Sequence, residues 1–175
     1  MQCCACQEAR PSEGEEFQSL LVPLRTSLRR AITTVQEAVD RYMPPEEFDN
    51  VEQACAHCGG KRFLKQHTVS IAPDVLMICL NRWAHPTEPQ LHAVHADQVL
   101  EFAGKTYALR SVVSHLGNSP NRGHYVAVSR HDTGHGQWWL YDGSRRRIAT
   151  AGEIATTARL EPLGQLKSYV LFYEQ

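Results

Sequence analysis

The chain reads as an α+β protein, with a helical first part and a mostly antiparallel β remainder. Three observations carry this reading. Leu28, Ile32, Val35 and Val39 recur at the spacing of one helical face. From Phe63 onward, short apolar or alternating runs bounded by turn residues follow one another, as in a sheet of short strands. Near the C-terminal end, Gly123-His124-Tyr125-Val126-Ala127-Val128 and Trp138-Trp139-Leu140-Tyr141-Asp142-Gly143-Ser144 flank a turn rich in Gly, Asp and His. That pattern suits two antiparallel strands, with His124 and Asp142 meeting at one end of the hairpin.

Length and charge bound the possibilities. The chain has 175 residues, enough for one domain or one piece of a larger one. Its formal net charge of −1 gives no general drive toward nucleic acid or acidic membranes. The longest apolar run, Val75 to Leu80, falls far short of the ~20 residues of a membrane span and reads as a buried strand. The first residues lack the basic and apolar regions of a signal peptide. A cytoplasmic or nuclear location, with reduced thiols, is the expectation.

Along the chain, residues 1–16 are polar and carry cysteines, with Pro11-Ser12-Glu13-Gly14 as a turn signal. Phe17 to Leu24 is apolar enough for a strand. Ser27 to Tyr42 is predicted as a helix, capped by Ser27 and ended by Pro44-Pro45. Glu46 to Glu52 reads as an acidic connector. Phe63–Ala72, Val75–Trp83, Gln98–Phe102, Thr106–His115, Gly123–Arg130, Gln137–Tyr141 and Ser168–Tyr173 are the expected strands, with a loop over His85–His95 and a short helical turn over Glu153–Ala158.

The six cysteines are Cys3, Cys4, Cys6, Cys55, Cys58 and Cys79. Cys3-x-x-Cys6 and Cys55-x-x-Cys58 are two knuckles, and two knuckles are how four thiolates surround one tetrahedral zinc ion. Gly59-Gly60 after the second pair fits the tight turn a knuckle needs. Whether Cys3 or Cys4 joins Cys6 is open from spacing alone, and His57 is an alternative ligand. Cys79, inside an apolar strand, is expected in the core. A His oriented by an Asp is the base half of a nucleophilic triad, although Asp-Gly alone is also a hairpin-turn signature.

These segments, taken in order, resemble the C-terminal part of the ubiquitin-specific protease catalytic domain, a papain-like cysteine peptidase fold. The split cysteine pairs come first. Pro73-Asp74-Val75-Leu76-Met77-Ile78-Cys79-Leu80-Asn81-Arg82-Trp83 follows, then Tyr107 to Gly117, the Gly-His-Tyr box at 123–125, the Trp138–Asp142 stretch and the terminal Ser168 to Glu174. The resemblance implies that His124 is the general base and Asp142 its orienter. It implies that Gly123 and Tyr125 line the channel for ubiquitin's Leu-Arg-Gly-Gly tail, with His115 and Trp139 beside it. Residues 1–60 look like the fingers with a zinc ribbon and residues 61–175 like the palm, with structural zinc on Cys3, Cys6, Cys55 and Cys58. Ubiquitin and ubiquitinated proteins are the implied partners, and neither nucleic acid nor membrane is expected.

Two departures from the family pattern shape the expectation. The family's nucleophile opens a helix in an Asn-x-Cys type block, which this sequence lacks together with its oxyanion donors and the thumb that carries them. The chain is therefore expected to be an incomplete domain that does not hydrolyse ubiquitin conjugates alone. Gly143 stands where many members carry a second acidic residue, leaving that role to Ser144 or a water. The alternative is a non-catalytic ubiquitin-binding or scaffold module of the same fold. Arg145-Arg146-Arg147 reads as solvated surface, and the adjacent Trp138 and Trp139 should face opposite sides of a strand.

Overall fold

The computed structural model describes residues 1–10, 14–50, 52–84, 88–119, 122–131, 136–150 and 166–175. The chain divides into two compact units, each discontinuous in sequence: residues 1–17 with 43–71, and residues 18–42 with 72–175. Residues 18–42 group with the second unit and 61–71 with the first. The Glu153–Ala158 turn lies outside the described residues. No helix among them is long and apolar enough to cross a membrane.

The first unit is a three-stranded antiparallel sheet of β1 (Gln2–Cys3), β3 (Glu46–Asp49) and β4 (Arg62–Lys65), in the order β1-β4-β3. Its small core is Cys3, Cys55 and Phe63, with Met1, Cys6 and Phe48 packed against them. The acidic connector is thus a strand. Phe48 stacks near Phe63, its direct cross-strand partner, while Glu46 and Glu47 face water. Pairing and one buried aromatic contact outweigh the low strand preference of glutamate. The predicted strand over Phe63–Ala72 shortens to β4, because past Lys65 no partner strand lies among the described residues and both Val69 and Ile71 are exposed.

The described residues of the second unit form an eight-stranded sheet. Its strands are β2 (Leu20–Val22), β5 (Val75–Leu80), β6 (Val99–Phe102), β7 (Lys105–Ser119), β8 (Arg122–His131), β9 (Gln137–Asp142), β10 (Arg145–Ile148) and β11 (Leu166–Glu174). The order is β10-β9-β8-β7-β11-β5-β2, with β6 also on β7, and only the β2–β5 pair is parallel. Leu20, Val22, Ile78, Leu80, Val112 and Leu171 are buried on it. Two phenols are fixed as they enter this core, Tyr107 donating to the Pro73 carbonyl at 2.8 Å and Tyr173 to the Asp97 carbonyl at 2.9 Å.

The helical part is much smaller than predicted. Among the described residues one helix, α1, spans Val35–Asp40 and is capped by Thr34, whose Oγ1 accepts from the Glu37 N–H at 3.0 Å. Residues before it form a turn: Thr26 and Arg30 close a backbone bond, Arg29 has φ +60°, and Leu28 is 90% exposed. A residue in the left-handed region stops a helix there, so the spacing of Leu28 with Ile32 was coincidental. The start signal was Thr34-x-x-Glu37, which has the form of a capping box.

Candidate active site and metal centre

Strand register decides which side chains share a face. Val126 of β8 lies opposite Asp142 of β9, and His124 is two residues along from Val126. His124 and Asp142 therefore stand diagonally on the same face, within reach of each other. The His124 ring bonds through Nε2 to Asp142 Oδ1, leaving Nδ1 on the other side of the ring. Both side chains are about half exposed, at 51% and 49%, so this pair is open to a partner. Gly143, at φ +58°, begins the two-residue turn into β10, so Asp142-Gly143 serves both the turn and the carboxylate contact.

His115 lies opposite Tyr125, which places both on the other face of the sheet from His124. Its ring packs on Tyr125 at 4.7 Å between centroids, and Tyr125 in turn lies near Tyr169. Burial raises the Tyr169 phenol above its ordinary range, with Tyr125 adding to the shift. His115 is only 4% exposed, so it is a packed side chain beside the His124 strand end. Gly123 makes its room: a Cβ there would come within 2.1 Å of His115 Nε2 and 2.5 Å of the Leu116 carbonyl oxygen. Gly117, a residue to which the sequence reading assigned no role, has φ +150° and makes similar room. Trp139 also stands on the face away from His124, covered by the Arg146 guanidinium at 6.0 Å from the ring centroid.

No thiol neighbours His124 within this unit. Its one cysteine, Cys79, pairs through Val170 and Val113 to Ala127 of β8, three strand spacings or about 14 Å across the sheet. Cys79 is half-buried in β5.

In the first unit, the sulfurs of Cys3, Cys6, Cys55 and Cys58 all lie within 4.8 Å of one another. Cys3 and Cys58 approach to 3.6 Å, and Cys6 and Cys55 to 3.7 Å. Four ligands at the usual zinc–sulfur distance form a tetrahedron with edges of about 3.8 Å, so the donor set suits one such ion. Cys4 and His57 are not in the group. The two glycines have different jobs. Gly59, at φ +74°, makes the turn, whereas a Cβ on Gly60 would sit 3.3 Å from the sulfurs of both Cys3 and Cys58. The Cys6 backbone N–H draws the Cys3 thiol down to about 7. At Cys6 the Glu8 backbone N–H favours the thiolate, but burial and the neighbouring thiols outweigh it and push the group up to about 12.

The ubiquitin carboxyl-terminal hydrolase family model matches residues 1–173. Ubiquitin carboxyl-terminal hydrolase 36 of Drosophila willistoni is 28% identical over 188 residues, covering 99% of this chain and 13% of its own length. Its counterpart in Drosophila grimshawi is 26% identical, with 99% and 14% covered. Among solved structures, the SAGA Ubp8/Sgf11/Sus1/Sgf73 DUB module bound to ubiquitin aldehyde superposes with a TM-score of 0.75 at 21% identity, over 99% of this chain and 39% of that one. The same module bound to monoubiquitin gives 0.74 at 20% identity, with 99% and 38% covered. The chain thus spans a small fraction of its curated relatives and well under half of the solved chain it resembles.

Proposed function

Because the chain belongs to the ubiquitin carboxyl-terminal hydrolase family, we propose that it supplies the base, the orienting carboxylate and a ubiquitin-binding surface for thiol-dependent hydrolysis of the bond after ubiquitin's C-terminal glycine. The observation that carries this is the His124–Asp142 pair, set on one face at an exposed strand end in a chain of this family. Asp142 accepts from Nε2–H and so holds the tautomer whose Nδ1 lone pair is available. Nδ1 takes the proton of an attacking cysteine thiol. The thiolate adds to the glycine carbonyl, and Nδ1–H then protonates the departing lysine amine. Water cleaves the thioester, returning its proton through Nδ1 and freeing the thiol.

The attacking thiol is a cysteine other than these six, from polypeptide outside residues 1–175. Four cysteines are grouped in the first unit, Cys4 lies in the same knuckle between Cys3 and Cys6, and Cys79 lies across the sheet from β8. The two units correspond to fingers-like and palm-like parts of the domain, with Gly123 and Tyr125 lining the approach of the ubiquitin tail, His115 packed behind Tyr125, and Trp139 on the opposite face from His124. Cys3, Cys6, Cys55 and Cys58 hold one zinc ion, supported by the sulfur spacings and by the lack of room at Gly60. With four thiolates and no open position, the ion supplies cross-linking of the two knuckles. Two cysteine knuckles grouped at metal-site spacing suit a reducing compartment, cytoplasm or nucleus.

The test is mass spectrometry after incubation with ubiquitin bearing a C-terminal electrophile. The isolated chain binds ubiquitin but forms no adduct, and it leaves a fluorogenic ubiquitin amide uncleaved. The natural gene product forms the adduct, and His124→Ala removes it. An adduct or turnover by the isolated chain that His124→Ala abolishes would overturn the external thiol. Ubiquitin binding with no adduct from any longer product would favour a non-catalytic binding module.

A further inference from the structure

Arg145-Arg146-Arg147 is not a loop but strand β10, the outermost strand of the described sheet on this side, with every residue exposed. Arg145 lies directly opposite Asp142, and Arg147 opposite Leu140, so both side chains share the face that carries His124. An open depression of about 660 Å³ beside them has Leu140, Asp142, Ser144 and the three arginines as its described lining.

The charge here departs sharply from the chain as a whole. Strands β8, β9 and β10 hold five arginines against one acidic residue, Asp142, in a chain whose net charge is −1. That aspartate is already bonded to His124. Neither Arg145 nor Arg146 meets a carboxylate among the described residues. An arginine fork is built for two-point contact with a carboxylate, and several on one short strand beside a depression define a surface for acidic side chains.

A charged outer strand also keeps sheets from pairing edge to edge. That role needs charge of either sign and is met equally by lysine or glutamate. It does not account for the same-sign cluster around a site whose own carboxylate is already engaged. Nucleic acid is the other chemistry that arginines serve. Single-strand binding, however, uses open aromatic faces, and here Trp139 is covered by Arg146 while Tyr141 is stacked by His131.

We propose that β10 is a specificity rim that binds an acidic segment of the protein carrying ubiquitin, so that conjugates with aspartate or glutamate near the modified lysine are held at His124. The identity of the occupant rests on the deubiquitinase reading; the affinity for acidic peptide does not.

The experiment measures anisotropy of a labelled aspartate- and glutamate-rich peptide on the whole chain, beside a neutral peptide of the same length and a labelled single-stranded oligonucleotide. The expected result is binding of the acidic peptide alone, weakening as salt rises, and about tenfold weaker in the Arg145→Glu/Arg147→Glu variant. Arg145→Gln/Arg147→Gln gives an intermediate loss, and thermal melts check that both variants are folded. Ubiquitin binding is followed in parallel and is retained by both variants. Equal affinity of wild type and variants for the acidic peptide, no binding at low salt, or preference for the oligonucleotide would overturn the proposal. Failure of wild-type chain to bind ubiquitin, with the peptide results as expected, strikes the deubiquitinase reading and leaves the acidic-binding rim standing.

Discussion

Gly123→Ala adds one methyl group, and its cost follows from geometry. The new Cβ would sit 2.1 Å from His115 Nε2, 2.7 Å from His115 Cε1 and 2.5 Å from the Leu116 carbonyl oxygen. Unstrained contacts between such atoms lie near 3.5 Å, so the overlaps run from about 0.8 to about 1.4 Å. A surface side chain would swing away. His115 is 4% exposed and packed on Tyr125, and the Leu116 carbonyl belongs to the backbone of β7. The cost should reach the top of the range for overpacking, about 3 kcal/mol. In urea, with a slope of about 2 kcal/mol per molar for a chain of this size, the midpoint should fall by roughly 1.5 M. Tryptophan fluorescence is a suitable probe, because Trp83, Trp138 and Trp139 all belong to the second unit. The decisive measurement is a double-mutant cycle with His115→Ala. Removing the ring relieves the 2.1 Å and 2.7 Å contacts but not the one with the carbonyl. Gly123→Ala should then cost less in that background, with a coupling of about 1 kcal/mol. Additivity within about 0.5 kcal/mol would refute the reasoning, since the methyl group would not be meeting that ring.

Cys58→Ser should reduce bound zinc from about one ion per chain to near zero by elemental analysis and unfold the first unit, since its core includes two of the four ligands; unchanged zinc content would exclude the four-thiolate site. Arg82, 2% exposed, donates to the carbonyls of Ser168, Gln90 and His92, and burial pulls its guanidinium down to about 10, still charged at neutral pH. Arg82→Met leaves three carbonyls without this donor and should cost roughly 3 kcal/mol or more in urea unfolding; a loss below about 1 kcal/mol would show that the clamp is dispensable. His92 donates from Nε2 to the Ile32 carbonyl at 2.9 Å, and burial, with Arg82 and Arg25 nearby, lowers it below its ordinary 6.5. The unfolded chain then holds the proton where the folded one does not, so stability falls as pH drops below about 6.5. His92→Gln keeps a donor without the titration, and its difference in urea midpoint between mildly acidic and mildly basic buffer should be smaller than that of wild type; an identical difference would show that His92 is not the group responsible.

Much of the sheet was legible because strand periodicity is local. Val75–Leu80, Val99–Phe102 and the His124 and Asp142 strands announce themselves through apolar runs that any pleated, half-buried surface requires. Among the strands that the sequence did not announce, Glu46–Asp49 and Arg145–Ile148 are mostly charged outer strands. Their order comes from hydrogen bonds to a neighbour, and nothing in their own side chains records it. The helix was overdrawn for the opposite reason: Leu28 keeps the period without being buried, and the backbone at Arg29 breaks the run.

By itself the sequence determined the chemistry available: two cysteine knuckles, a histidine and an aspartate near paired strands, and three consecutive arginines. Side-chain type and short-range spacing are written in the covalent chain. Tertiary structure alone decided that Cys3 and not Cys4 joins the sulfur group, that His115 is packed between glycines on the far face from His124, and that Arg145 and Arg147 share a face with Asp142. Each of these depends on cross-strand register or on contact between distant segments. A shift of one residue in register turns every side chain of a strand to the other face, and that register is set by the packed sheet as a whole.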